Sequence, residues 1–186
     1  MIVRFIFIIA FTCFLTSCKH SLQIPFDNEC ELIKDPNIEK VVDFKIRFSA
    51  ELPKNWKINL YYDDVQSSIY AADTTKQLTE AILLDISFID QKISLDDLFS
   101  LKQEQEHLQK RLIKTNTFTS FTDRKSIHHS IFKGNKEGFA YQKHIIHIKE
   151  TEENFVMASI ELYGDKNVED RICKALRYLE SIKLVI

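Results

Sequence analysis

Residues 43–64, DFKIRFSAELPKNWKINLYYDD, decide the fold. In the first half Phe44, Ile46 and Phe48 alternate with Lys45 and Arg47, the period of two that a half-buried strand shows. Pro53 ends that run. In the second half Ile58, Leu60 and Tyr62 lie opposite Lys57, Asn59 and Tyr61, and Asp63-Asp64 supplies a turn. Two consecutive strands joined by a short connection predict antiparallel pairing, with one apolar and one polar face.

Working outward, SSIYAAD (67–73) reads as a third strand, and AILLDISFID (81–90), with Ile82, Leu84, Ile86 and Phe88 on one side, as a fourth. Ser94 followed by Asp97 predicts a helix start. Leu98, Leu101, Gln105, Leu108 and Leu112 recur at helical spacing, so an amphipathic helix is expected over 95 to about 114, its leucines facing the core. KSIHHSIF, the turn KGNKEG, FAYQKHIIHIKE and NFVMASIELYG return the chain to strands. A closing helix is expected from Val168 to Ile182 on the stripe Val168, Ile172, Leu176 and Leu179. The expected fold is therefore α+β: a mostly antiparallel sheet of about seven strands packed with two long helices.

This order of elements, together with FSAELPKNWKI (48–58), resembles the PsbP-like family, which includes photosystem II extrinsic proteins and bacterial envelope lipoproteins of the DcrB type. Phe48, Ser49, Pro53 and Trp56 carry the resemblance, which covers about residues 43–186. It implies a non-enzymatic accessory or protein-binding role, and no metal-binding or partner-binding residue of the family is carried over.

The N-terminus has a basic Arg4, an apolar run from Phe5 to Leu15 and small polar residues before Cys18. A bilayer-spanning helix needs about 20 apolar residues, so the run reads as a signal peptide. Leu15-Thr16-Ser17-Cys18 resembles the bacterial lipobox, which makes Cys18 the lipidated first residue of the mature chain. The domain plan is a signal peptide at 1–17, a tether at 18–42 and one α+β domain at 43–186. Lys19 after the cysteine favours an outer-membrane lipoprotein facing the periplasm. The partners expected are the membrane, through lipid on Cys18, and an envelope protein. The formal charge of −2 leaves no electrostatic footprint for nucleic acid. Cys30 and Cys173 remain as a possible disulfide in an oxidising compartment, or as a free thiol in the tether and a half-buried helix residue.

Only three glycines are present, all in expected turns, which excludes a P-loop, a nucleophile elbow and a dinucleotide fingerprint. No nucleophile, base and orienting group assemble from the sequence, so neither an enzyme nor a cofactor is expected. Among the histidines, His144 and His147 point to opposite faces of a strand, as do His128 and His129. If Phe132 pairs with Phe139 across the hairpin, His129 faces Gln142 and shares a face with His144, whereas a one-residue shift would set His128 opposite His144. His129 and His144 are the candidate metal pair, short of the three or four ligands zinc wants, with Glu80 the imagined third donor. No metal is expected. The contact surface expected is the sheet face carrying Lys45, Lys57 and Tyr61. The function expected is a non-catalytic, lipid-anchored binding or accessory module. The alternatives are an immunity-type lipoprotein that neutralises a periplasmic toxin and a carrier of a small apolar ligand.

Overall fold

Asp43 interrupts the pattern on which the first strand was read. In the structure, a computed structural model describing residue 30 and residues 36–121, 125–149 and 151–185, its buried carboxylate accepts hydrogen bonds from the amides of Lys45 (3.1 Å) and Phe48 (2.7 Å). Ile46 sits at φ 58°. Residues 44–47 are thereby folded into a turn, leaving Phe44 and Ile46 exposed. What precedes the turn is a strand rather than tether: β1 (Ile38–Val42) pairs antiparallel with β2 (Phe48–Pro53), Val42 against Ser49. The folded domain thus starts ahead of residue 43. The signal peptide, Cys18 and most of the tether lie outside the described residues.

The chain continues through β3 (Lys57–Tyr62), β4 (Gln66–Ala72), β5 (Leu83–Ile89), α1 (Asp97–Gln109), β6 (Leu112–Phe121), β7 (Ser126–Lys136), β8 (Phe139–Lys149), β9 (Phe155–Tyr163), α2 (Val168–Glu180) and β10 (Lys183–Leu184). The described residues therefore hold ten strands, in a three-stranded sheet ordered β1-β2-β10 and a seven-stranded sheet ordered β3-β4-β5-β9-β8-β7-β6. Every pairing is antiparallel. This corrects the expected fold class. In place of seven strands packed with two long helices, the described residues form a predominantly antiparallel β structure with two helices of 13 residues each.

The large sheet has two unlike faces. On the inner face Ile69, Leu84, Ile86, Ala158, Ile160 and Ile146 meet Phe48, Ala50 and Leu52 of β2 and Ala175, Leu176 and Leu179 of α2. The four-residue stripe expected of α2 is the one that packs, with Val168 and Ile172 at its margin. Trp56 sits edge-on to Tyr178, ring centroids 5.2 Å apart. Arg171 is buried beside this core, and its guanidinium donates to the carbonyls of Ala81 (3.2 Å), Tyr163 (2.9 Å) and Gly164 (3.3 Å). It ties the end of β9 to the loop entering β5.

α1 lies on the outer face, where its element contact is with β6. Phe99, Gln103 and His107 turn inward, and the His107 ring stacks on Phe132 at 4.1 Å. Leu98, Leu101 and Leu108 are 73%, 52% and 60% exposed, so the leucine stripe expected to face the core faces outward. The helix also ends earlier than its periodicity predicts. Arg111, at φ 60°, turns the chain into β6, and Leu112 is buried as a strand residue. Gly134 on β7 permits that turn, because a Cβ there would stand 2.6 Å from the Arg111 carbonyl oxygen.

The N-cap of α1 is Asp96, whose carboxylate accepts from the Phe99 amide at 2.8 Å, while Ser94 only donates to Asp96. Asp96→Ala is expected to accelerate amide exchange at Phe99, and Ser94→Ala to change it far less. Equal effects in hydrogen-exchange measurements would return the cap to Ser94.

Candidate functional site

The register of β3 puts Lys57 and Tyr61 on the outer face, with Tyr61 across from Ser68 and Asn59 across from Tyr70. Lys57 and Tyr61 thus share a surface, as their alternation predicts. Lys45 does not join them. It lies in the Asp43 turn, its Nζ donating to the Asp64 carbonyl at 3.3 Å and its amide approaching Ser67, an inner-face residue of β4. The three-residue surface reduces to Lys57 and Tyr61.

Next to them, the outer face from β4 to β8 forms a shallow pocket of about 160 Å³ lined by Tyr70, Leu83, Leu84, Asp85, Lys143, Ser159 and Glu161. The strand registers bring these together: Tyr70 and Ser159 flank Asp85, and Lys143 faces Glu161. Lys143 Nζ lies 2.8 Å from one Glu161 oxygen and Lys136 Nζ 3.4 Å from the other. Behind this pair Tyr141 and Tyr163 meet edge to face at 5.0 Å, with the Lys136 ammonium over both rings.

The two pocket carboxylates live in different conditions. Burial works to raise the Glu161 carboxyl, but the hydrogen bond and charge of Lys143, the Tyr141 hydroxyl and Lys136 outweigh it, so the group is held below its ordinary range. Asp85 is raised, first by burial and with Glu161 adding to it, while Lys143 and a 3.1 Å hydrogen bond from Ser87 act the other way. Burial likewise pushes the Tyr70 and Tyr141 phenols up, with the charge of Glu161 adding to both. These tyrosines stay protonated, and Tyr141 donates to Glu161.

The four hairpin histidines divide as strand parity requires, two to each face. His128 stands directly opposite His147 on the outer face, both against the edge of Phe99, at 5.5 and 4.9 Å. His129 and His144 meet on the inner face, His129 Nε2 lying 2.9 Å from His144 Nδ1, while Gln142 Nε2 approaches His144 Nε2 at 2.6 Å. The register differs from that expected. The turn is the pair Glu137-Gly138, with φ 55° and 84°, so Phe139 pairs with Lys136 and His129 stands opposite Ile146.

A neutral chain satisfies the inner pair: the Gln142 amide donates to His144 Nε2, and His144 Nδ1–H donates to His129 Nε2. Burial lowers His129 to about 4, with His128 contributing, and lowers His144 to about 3, with His129 and Lys133 contributing. No cluster of three or more His, Cys, Asp or Glu side chains placed to hold a metal occurs among the described residues. Glu80, the imagined third donor, pairs with Lys166 at 3.4 Å.

Cys30 and Cys173 form a disulfide, Cα atoms 5.4 Å apart, and the Cys30 carbonyl accepts from Arg177 at 3.4 Å. No helix among the described residues is long and apolar enough to cross a membrane.

The architecture is that of an antiparallel sheet protein with a polar pocket on its outer face. No family model and no curated protein matches the chain. Among solved structures it is similar to a point mutant of the protein Mog1, with a TM-score of 0.52 at 12% identity over 80% of this chain and 96% of that one. At that identity the likeness is one of fold.

The pocket residues were missed at the sequence level because they come from four strands and share no local motif. The signal available was Asp85, a carboxylate set between Leu84 and Ile86 in an otherwise apolar strand.

Proposed function

We propose that this chain is a non-catalytic, lipid-anchored binding module of the cell envelope, with the outer sheet face around Lys57, Tyr61 and Tyr70 as its contact surface. The observation that carries the binding role is the open part of that face beyond α1. It joins exposed tyrosine and lysine to a polar pocket. Tyrosine supplies contact area with little side-chain entropy to lose and is enriched where partners dock. The anchor rests on Leu15-Thr16-Ser17-Cys18 and on its resemblance to a lipobox. The PsbP-like resemblance of FSAELPKNWKI agrees with an accessory role.

Crosslinking in intact envelopes, followed by capture of the tagged chain and mass spectrometry, tests the reading. A single enriched protein is expected, and the double variant Lys57→Glu, Tyr61→Ser should reduce its capture by roughly tenfold, since removing a central interface residue costs about 1–2 kcal/mol or more. Enrichment of bulk membrane proteins alone would contradict the module. Cys18→Ala should abolish acyl labelling and membrane fractionation while the native fluorescence of Trp56, the sole tryptophan, is retained. A variant that stays on the membrane without lipid would refute the anchor.

A further inference from the structure

Asp85 stands apart in the charge pattern of the outer face. It is half-buried on β5, with Tyr70 and Ser159 beside it on the neighbouring strands. Ser87, itself held 2.8 Å from Ser68, donates to one of its oxygens. Among the described residues no cationic side chain lies within ion-pair distance of it. Lys143, the cation that lines the same pocket, is committed to Glu161, which also takes Lys136. Of the two carboxylates on the pocket wall, one is neutralised and one is left to be neutralised from outside.

We infer that the pocket between β4, β5, β9 and β8 receives one basic side chain of a protein partner, with Asp85 as its counter-ion. This deepens the binding-module reading and rests on it. The size of the space fits such an occupant. About 160 Å³ is room for roughly five waters, and it falls below the ~300 Å³ at which pockets for whole cofactors and drug-sized ligands begin. The walls fit as well. The second oxygen of Asp85 and the hydroxyls of Ser159 and Tyr70 can accept the N–H groups of a guanidinium, and the Tyr70 ring offers a cation–π face. An anionic side chain would meet Asp85 and an already paired Lys143. An apolar one would strand the Asp85 carboxylate without water.

The test uses the full chain, isotope-labelled and in detergent, titrated with N-acetyl-arginine amide, N-acetyl-lysine amide and the uncharged N-acetyl-norleucine amide. Chemical-shift changes at Tyr70, Asp85 and Ser159 are expected with the two cations and not with norleucine. Asp85→Asn should weaken binding by roughly tenfold or more, the scale of a hydrogen bond to a charged group. A second readout needs no variant: saturating arginine amide should lower the titration midpoint of the Asp85 carboxyl carbon.

Equal binding of norleucine, shifts confined to other surfaces, Asp85→Asn binding as the parent does, or an Asp85 titration unmoved by the probe would each overturn the pocket. The two readings fail separately. Probe binding at Asp85 with no partner captured from envelopes upholds the pocket's chemistry and removes the module. A captured partner indifferent to Asp85→Asn and to competing arginine amide leaves the module and removes the pocket.

Discussion

Cys173→Ser is expected to lower the unfolding free energy by about 2–4 kcal/mol, read as a shift of the urea midpoint of Trp56 fluorescence. The bond joins residues 143 apart, and closing a loop of that length in the unfolded chain has a nominal entropic effect of roughly 5 kcal/mol. The lower range is expected because engineered and native bridges commonly deliver less than the loop formula. The native partner surface on α2 is already packed through Ala175, Leu176 and Leu179 without the bond. Reducing agent should bring the parent down to the variant's midpoint and leave the variant unmoved. A parent indifferent to reduction would show that the bridge contributes nothing to stability. The bridge has a second consequence if Cys18 carries the anchor. A segment of 12 residues from Cys18 to Cys30 reaches at most about 40 Å when fully extended, whereas the 20 residues from Cys18 to Ile38 would reach about 70 Å. Oxidation would then hold the α2 side of the domain closer to the membrane.

The strands that alternate cleanly were legible in the sequence because their period matches a sheet with one buried face. Ile82 through Phe88 and Val156 through Leu162 both line the inner core. The same logic failed at α1. Period analysis assumes that leucines face the core, but the sheet surface under α1 presents His128, Ser130, Phe132 and His147, and the helix meets it with Phe99, Gln103 and His107. β6 was absorbed into the expected helix because Leu112 continues the leucine spacing, and its threonine-rich remainder carries little apolar alternation for an edge strand to show. β1 and β10 are short and take their meaning from pairing with β2, a distant contact that no local pattern encodes. Of the site, Lys57 and Tyr61 were legible from parity alone. Lys45 was misplaced because the side chain of Asp43 competes with the strand for backbone amides.

Acid is expected to destabilise the protein well before its carboxylates protonate. His129, at about 4, and His144 and His147, at about 3, are all depressed first by burial. The unfolded chain therefore binds their protons more readily, with an ordinary value near 6.5. The sign follows: their contribution is complete above about pH 6.5 and is lost as pH falls from there toward the folded values. Between about pH 7.5 and pH 5 each independently titrating group removes about 2 kcal/mol. The unfolded chain takes up a proton on each of the three imidazoles while the folded chain holds almost none at pH 5, so the loss expected is about 6 kcal/mol, measurable by urea unfolding across that range. Asp85 and Glu180, raised by burial, act in the opposite sense. His147 separates the causes. Its Nδ1 is buried without a hydrogen-bond partner and its ring lies 4.9 Å from that of Phe99, so His147→Leu removes a titrating group while keeping apolar contact. That variant should flatten the pH dependence by about a third. An unchanged slope would move the sensitivity to the His129–His144 pair, and a parent as stable at pH 5 as at pH 7.5 would show that these imidazoles take up protons in the folded state. The Gln142–His144–His129 chain is satisfied when both rings are neutral, and a proton added to His129 Nε2 would set N–H against N–H unless His144 changed tautomer.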